Sequence, residues 1–346
     1  MNGIKQRRSL LWIWQLWLVF FYGAWLGLMR VPENAATAIG HGPIALTMLF
    51  GSYVAGSTPM GGGTVAFPIL VLAYGLPATL GRDFSFAIQS IGMTSATIFI
   101  LCRRQQLAWA MLGGSMVGSL IGLPFGILWV APSIPTVWVK VLFAVFWAAF
   151  GVLHLARLNE LLETTGNTAR NGRKEFLAGL LVGAAAGASI VAVTGVGVDM
   201  LLYAVLVLAC RVDPRVAIPT SVVAMAFNSL LGVAIKLATA GFEPGVWGNW
   251  LAAAPVVALG APLGAFVVGF IGRRPTLLFV AVLCVMQFAW ACYHERASLG
   301  FVGIVVACFG VLSCVIALDR LHIWGVKQNG AINQAYPARP AGFFDP

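Results

Sequence analysis

Two glycine-rich stretches hold the residue types that could do chemistry in an otherwise apolar chain. The first, STPMGGGT (Ser57–Thr64), places Gly61, Gly62 and Gly63 behind Pro59. The second, VTGVGVD (Val193–Asp199), places Gly195 and Gly197 just ahead of an acid, Asp199. Proline lacks a backbone donor and ends a helix, and glycine permits conformations and close approaches closed to other residues. Where a helix resumes beyond such a break, its first N–H groups are unpaired and carry the positive end of its dipole. Two resumed helices aimed at one another would hold an anion without a buried cation.

The segment after each break supplies polar side chains. Ser85, Gln89 and Gly92 fall at i, i+4 and i+7, one face of a helix, and Ser221 and Asn228 fall at i and i+7. Together with Thr64 at the first restart, these groups could bind an oxyanion; the plainer reading is that they join helices, as small and polar residues do in membranes. Asp199 also has two readings. At the start of a resumed helix it can cap the N-terminus, and as an ionisable group within a span it is a candidate to carry a proton coupled to substrate. Asp83, Asp213 and Arg215 sit at span ends and read as interfacial caps and topology charges, with a gate as the alternative. Six scattered cysteines without a C-x-x-C pair and four scattered histidines give no metal or disulfide site. No cofactor is expected.

These residues sit in a chain that must lie in lipid. It has 346 residues, 60% of them hydrophobic and 9% charged, whereas soluble domains carry about 25% charged residues. Runs of about 20 apolar residues, enough to cross about 30 Å of hydrocarbon, recur along it. Unbroken spans are expected near 10–29, 84–101, 107–129, 137–156, 216–237, 247–270, 276–293 and 299–318. The basic start followed by a long apolar core reads as a retained first span; a cleaved leader is the alternative. Trp12, Trp14, Trp17, Trp25, Trp247 and Trp250 suit anchoring at the lipid interface. The net charge of +10 lies in short loops between spans, a topology signal and not a nucleic-acid surface.

The stretches 44–75 and 176–210 are apolar but interrupted. Either would be about 50 Å long as one helix, too long for one crossing, so each should be a pair of shorter helices joined at a break. A gapless shift of 136 residues pairs ILVLAYGLP (69–77) with VLVLACRVD (205–213), Thr58 with Thr194, Gly61 with Gly197 and Ser85 with Ser221. The chain therefore reads as an all-α, multi-pass bundle of two repeats, each a broken pair plus three spans, with one extra span at each end. The segments are 1–43 (first span and loop), 44–156 (repeat 1), 157–175 (cytoplasmic linker), 176–298 (repeat 2), 299–326 (last span) and 327–346 (flexible tail). If each broken pair returns to the side it left, only Arg30, Arg82, Lys140, Lys236 and Arg296 of the 21 Lys and Arg face outside. The positive-inside rule favours that arrangement, which makes the repeats inverted and both termini cytoplasmic.

The pattern GSTPMGGGTVAFPILVLAYGLP, with its partial copy TGVGVDMLLYAVLVLACRVDPRVAIPTS, resembles the sulfite exporter TauE/SafE family of bacterial membrane transporters over roughly residues 44–318. The resemblance implies a carrier of small sulfur-containing anions (sulfite, sulfonates or thiosulfate) in the bacterial inner membrane. The family's first glycine motif falls on Gly61, Gly62 and Gly63 and the second on Gly195 and Gly197. Val196, Val198 and Asp199 stand where further glycines are expected, so the second half departs from the pattern.

The partners expected are a small anionic substrate, the lipid bilayer and, through Asp199, protons. An anion channel of the same architecture is the nearest alternative. A membrane-embedded enzyme acting on lipid phosphates would need clustered Glu, Arg, His or Ser near the breaks, which neither copy offers. No HExxH, P-loop or Cys–His arrangement occurs in a plausible context, and no enzyme activity is expected.

Overall fold

The computed structural model describes residues 10–162, 172–271 and 273–335, and among these it is helical with no strand. Lys5, Arg7, Arg8, Arg170 and Arg339, counted among the cytoplasmic charges, lie outside the described residues, as do the middle of the expected linker and the last part of the tail. The helices are α1 (Leu11–Met29), α2 (Pro32–Gly40), α3 (Gly42–Ser57), α4 (Gly63–Ala73), α5 (Ala78–Cys102), α6 (Trp109–Ser133) and α7 (Thr136–Leu162). After the linker come α8 (Gly172–Thr194), α9 (Val198–Ala209), α10 (Pro214–Ala238), α11 (Val246–Ile271), α12 (Arg273–His294) and α13 (Arg296–Ala335). Nine of the described helices are long and apolar enough to cross a membrane.

The expected breaks fall where the glycines are. Thr58, held extended ahead of Pro59 (φ −136°, ψ 164°), ends α3, and α4 resumes at Gly63. Gly195 (φ 79°) and Gly197 (φ 112°) separate α8 from α9, in a region of backbone space that other residues rarely enter. The two broken stretches are unequal, and the second is not the expected pair of shorter helices, because α8 is long enough to cross by itself. α8 is 23 residues long and α9 is short; in the first copy α3 is 16 residues, extended by α2 at a 66° bend. The stretch before residue 44, expected as loop, is therefore helical: Pro32 at its first position removes a donor that would be orphaned anyway.

Other helices outrun the apolar spans that announced them. α5 begins at Ala78, six residues before the apolar run, because the charges of Arg82 and Asp83 are paired inside the bundle. α13 turns at Gly300 (φ 59°) and continues to Ala335, so residues 327–335, expected as part of a flexible tail, are helical.

Chain direction fixes the relation of the halves. The 136-residue shift carries α5 onto α10 and the end of α4 onto the end of α9, residue for residue. The equivalent helices α5 and α10 pack against each other in opposite directions. Asp83, near the start of α5, is 2.9 Å from Lys236 at the end of α10, and Thr220 near the start of α10 accepts from Ala108 N beyond the end of α5. The equivalent α7 and α12 are also antiparallel, tied by Lys140–Glu295 at 2.6 Å. The remaining packing is exchanged: α3 lies along α11, and α8 along α6. Equivalent helices that run in opposite directions make the repeats inverted.

Small residues allow this packing. Gly114, Gly118 and Gly122 of α6 face α8, where an added Cβ would meet the carbonyls of Phe176, Leu180 and Ala184; Gly179 and Gly183 of α8 return the same contact against Met111 and Ser115. Spacing of four along both helices is the small-xxx-small interface by which backbones approach in lipid. The start of α1, the ends of α5 and α7 and the far part of α13 lie toward one end of the bundle, the terminal end. There Arg157 pairs with Asp319 and Glu160, and Arg211 and His322 reach Glu160. The opposite, distal end holds Arg82, Asp83, Lys236, Lys140 and Glu295.

Candidate functional site

The two breaks meet across α5. Gln89 Nε2 donates to Ser85 O one turn back (3.1 Å) and across to Gly195 O in the second break (3.3 Å). A Cβ on Gly195 would lie 2.5 Å from Arg82 O and 2.8 Å from Ser85 Cβ. One on Gly63 would strike the Val196 side chain and lie 3.1 Å from Ser85 Oγ. One on Gly61 would lie 2.6 Å from Gln89 Oε1 and 2.8 Å from Asp199 Oδ2. Glycine is needed at Gly61 twice over, for its positive φ (63°) and for this space.

Gln89 Oε1 and Asp199 Oδ2 are buried and accept no hydrogen bond among the described residues. Both face Gly61, at 2.6 and 2.8 Å from where a Cβ there would sit. A buried acceptor left without a donor costs about 1–3 kcal/mol, so the pair is poised for a donor. The other Asp199 oxygen, Oδ1, accepts from Met200 N at 3.0 Å. The carboxyl thus folds over the start of its own helix, as the capping reading expected, while its second oxygen points into the junction. The α9 N-terminus is accordingly occupied by its own acid, and the expected pair of open helix ends reduces to the one at Gly61–Gly63.

Thr64 is held from behind. Its hydroxyl donates to Met60 O and accepts from Trp147 Nε1 (2.8 Å), and its carbonyl accepts from Gln287 Nε2 (3.2 Å). The Trp147 ring also lies 3.4 Å from where a Cβ on Gly197 would sit, so one side chain supports both breaks. It stacks on Phe143 (4.0 Å), which stacks on Phe67 of α4 (4.6 Å). Gly62 faces away, toward Met48 and Ala55. A cavity of about 10 Å³ beside it, lined by Met48, Ser52, Gln89, Met93 and Val257 among others, has room for about one water. The junction is closed in this conformation.

Ser221 and Asn228 do not join it. Their hydrogen bonds run to Ile218 O and Ala224 O within α10. The halves match in part, but among the described residues α5, and not its equivalent α10, is seen to touch both breaks. Gly92 packs on Val257 of α11, a helix contact. Asp213 caps α10 through Arg215 N (2.7 Å) as expected, but Asp83 is no interfacial cap: it is fully buried in an ion cluster. Trp14 and Trp25 donate inward to Ser95 and Leu251 O, while Trp12 and Trp247 are exposed. Sequence reasoning missed Trp147, Gln287, Arg82 and Lys236. For Trp147 a signal existed: it sits in the middle of an apolar run, away from either interface.

An all-α bundle of inverted repeats, with two interrupted helices meeting inside it, defines a multi-pass integral membrane protein. A profile of the family described as sulfite exporter TauE/SafE matches residues 44–290, well over half of the chain, and the chain belongs to that family. Its members are transporters of sulfur-containing anions. No curated protein matches the chain. No solved structure matches it either.

Proposed function

We propose that this protein is a secondary carrier for a small sulfur-containing oxyanion, sulfite being the first candidate, coupled to protons through Asp199. The observation that carries the reading is the junction itself. Both breaks close on α5, Gly61 and Gly63 lie against its Gln89 and Ser85, and Gln89 Oε1 and Asp199 Oδ2 await a hydrogen. An ionised Asp199 would repel an anion there; a protonated one would donate to Gln89 Oε1 or to the substrate. Protonation and anion binding then favour each other, which is coupling in thermodynamic terms. The candidate substrate-binding set is Gly61, Gly62, Gly63, Thr64, Ser85, Gln89, Gly195 and Gly197. Ser221 and Asn228 are more distant candidates that would need α10 to move. The protein is not an enzyme on this reading. The terminal end, with Arg103, Arg104, Arg157, Arg211 and Arg320, faces the cytoplasm of a bacterial inner membrane.

The test is uptake into proteoliposomes with sulfite, thiosulfate, sulfoacetate and taurine compared, with and without a pH gradient. Saturable uptake stimulated by the gradient is expected, with Asp199→Asn still binding sulfite but losing the gradient dependence. Uptake that rises linearly through millimolar substrate would favour a channel of the same architecture. A wild-type pH profile in Asp199→Asn removes the proton role.

A further inference from the structure

Arg82, Asp83 and Lys236 form an ion cluster at the distal end, one helical turn from Ser85. Arg82 Nε lies 2.9 Å from Asp83 Oδ1, Lys236 Nζ lies 2.9 Å from Asp83 Oδ2, and Glu243 N donates to Oδ2 at 3.1 Å. The Arg82, Asp83 and Lys236 side chains are 11%, 0% and 7% exposed. Two cations therefore share one carboxylate. Glu243, whose backbone joins the cluster, forms no ion pair with either among the described residues. The ion cluster at the terminal end is balanced by contrast, with Arg157 and Arg211 set against Glu160 and Asp319. Excess charge withdrawn from most of its water favours an opposite charge, and the Arg82 side chain keeps 11% exposure through which one can reach it.

Arg82 is built to accept one. The hydrogen bond its guanidinium makes among the described residues leaves from Nε, so the N–H groups of both terminal nitrogens are uncommitted. That pair is the fork that grips an oxyanion in bidentate fashion. Arg82 also stands at the head of a path. Arg82, Ser85 and Gln89 occupy i, i+3 and i+7 of α5, and the Arg82 carbonyl abuts Gly195. The repeat does not explain the cluster, because the positions equivalent to Arg82 and Asp83 are Ile218 and Pro219.

We propose that the Arg82 fork, with Lys236 beside it, captures the oxyanion at the distal mouth, and that Asp83 is the resident competitor the anion displaces. Asp83 ties α5 to α10 and to the α10–α11 connection through Glu243 N. An anion on the cations weakens those ties at the moment substrate stands beside Ser85 and the Gly195 break. The inference rests on the carrier reading and adds to it a capture site and a substrate-opened gate.

Sulfite uptake into right-side-out and inside-out vesicles, with the full chain and its Arg82→Gln, Arg82→Lys and Asp83→Asn variants, tests it. Arg82→Gln should raise the half-saturating sulfite concentration about tenfold or more, the worth of a charge-assisted pair, and only in vesicles whose distal end faces the medium. Arg82→Lys, keeping charge without the fork, should fall between, and Asp83→Asn should lower the half-saturating concentration. Saturable wild-type uptake with half-saturation unchanged in Arg82→Gln overturns the capture site and leaves the carrier standing. Equal losses of maximal rate in all three variants, without opposite shifts, also overturn it and make the cluster a structural clamp. If the wild type moves no sulfite, the carrier reading fails, and sulfite protection against thermal unfolding decides the site alone. Protection lost in Arg82→Gln sustains it, and no protection of the wild type overturns it.

Discussion

At the residue scale, Gly61 concentrates the constraints of the site. Its φ of 63° is one that L-residues adopt at a cost of about 1–2 kcal/mol, and a methyl group there would press on both Gln89 Oε1 and Asp199 Oδ2. Gly61→Ala should therefore abolish transport while leaving much of the protein folded, checked by uptake beside size-exclusion profiles in detergent. Glu295, in the short connection between α12 and α13, makes a different prediction. Burial acts to raise its pKa, but hydrogen bonds and attraction from Lys140 and His294 outweigh it and hold the carboxyl below its ordinary 4.5. A carboxylate with a lowered folded pKa stabilises above its unfolded value, and that contribution disappears as pH falls through the folded one. Melting temperatures of wild type and Glu295→Gln should differ at pH 7 and converge as the pH drops below about 4.5.

At the element scale, the α6–α8 contact sets how closely the second broken helix is held. Gly118 brings its backbone against the Leu180 carbonyl, and a side chain there has nowhere to go. Gly118→Leu should separate the two helices and cost well over the usual 1–3 kcal/mol of an overpacked core, read as loss of folded protein. Gly113, with its nearest outside atom 3.9 Å from an added Cβ, should accept alanine with little change and serves as the control. The breaks were legible in the sequence because proline and glycine mark them directly. The unequal lengths of α8 and α9 were not, since hydropathy is the same on either side of the break.

At the scale of the whole molecule, inversion follows from two packed pairs of equivalent helices, α5 with α10 and α7 with α12, each antiparallel. The symmetry is incomplete at the junction and at the distal end. α5 threads both breaks, Asp199 covers one helix end and leaves the other open, and one mouth carries an ion cluster with no counterpart in the second half. An inverted pair of halves gives two alternative conformations of similar energy, the arrangement alternating access requires. The junction is closed, with room for about one water at its edge, and on the proposed carrier reading it is one conformation of such a cycle.

The sequence by itself determined the membrane class, the repeat, the positions of the breaks and, through basic-residue placement, the sense of the repeats. Each of these is written in local composition or spacing, which a reader of one chain can count. Only the tertiary structure decided which polar residues meet. Gln89 and Asp199 are 110 positions apart and converge because α5 passes between the breaks, while Ser221 and Asn228, equally polar and symmetrically spaced, bond within α10. Trp147 and Lys236 gained their roles in the same way, through helices brought together from distant parts of the chain. Spacing specifies which face of a helix a residue occupies, and packing alone specifies what that face meets.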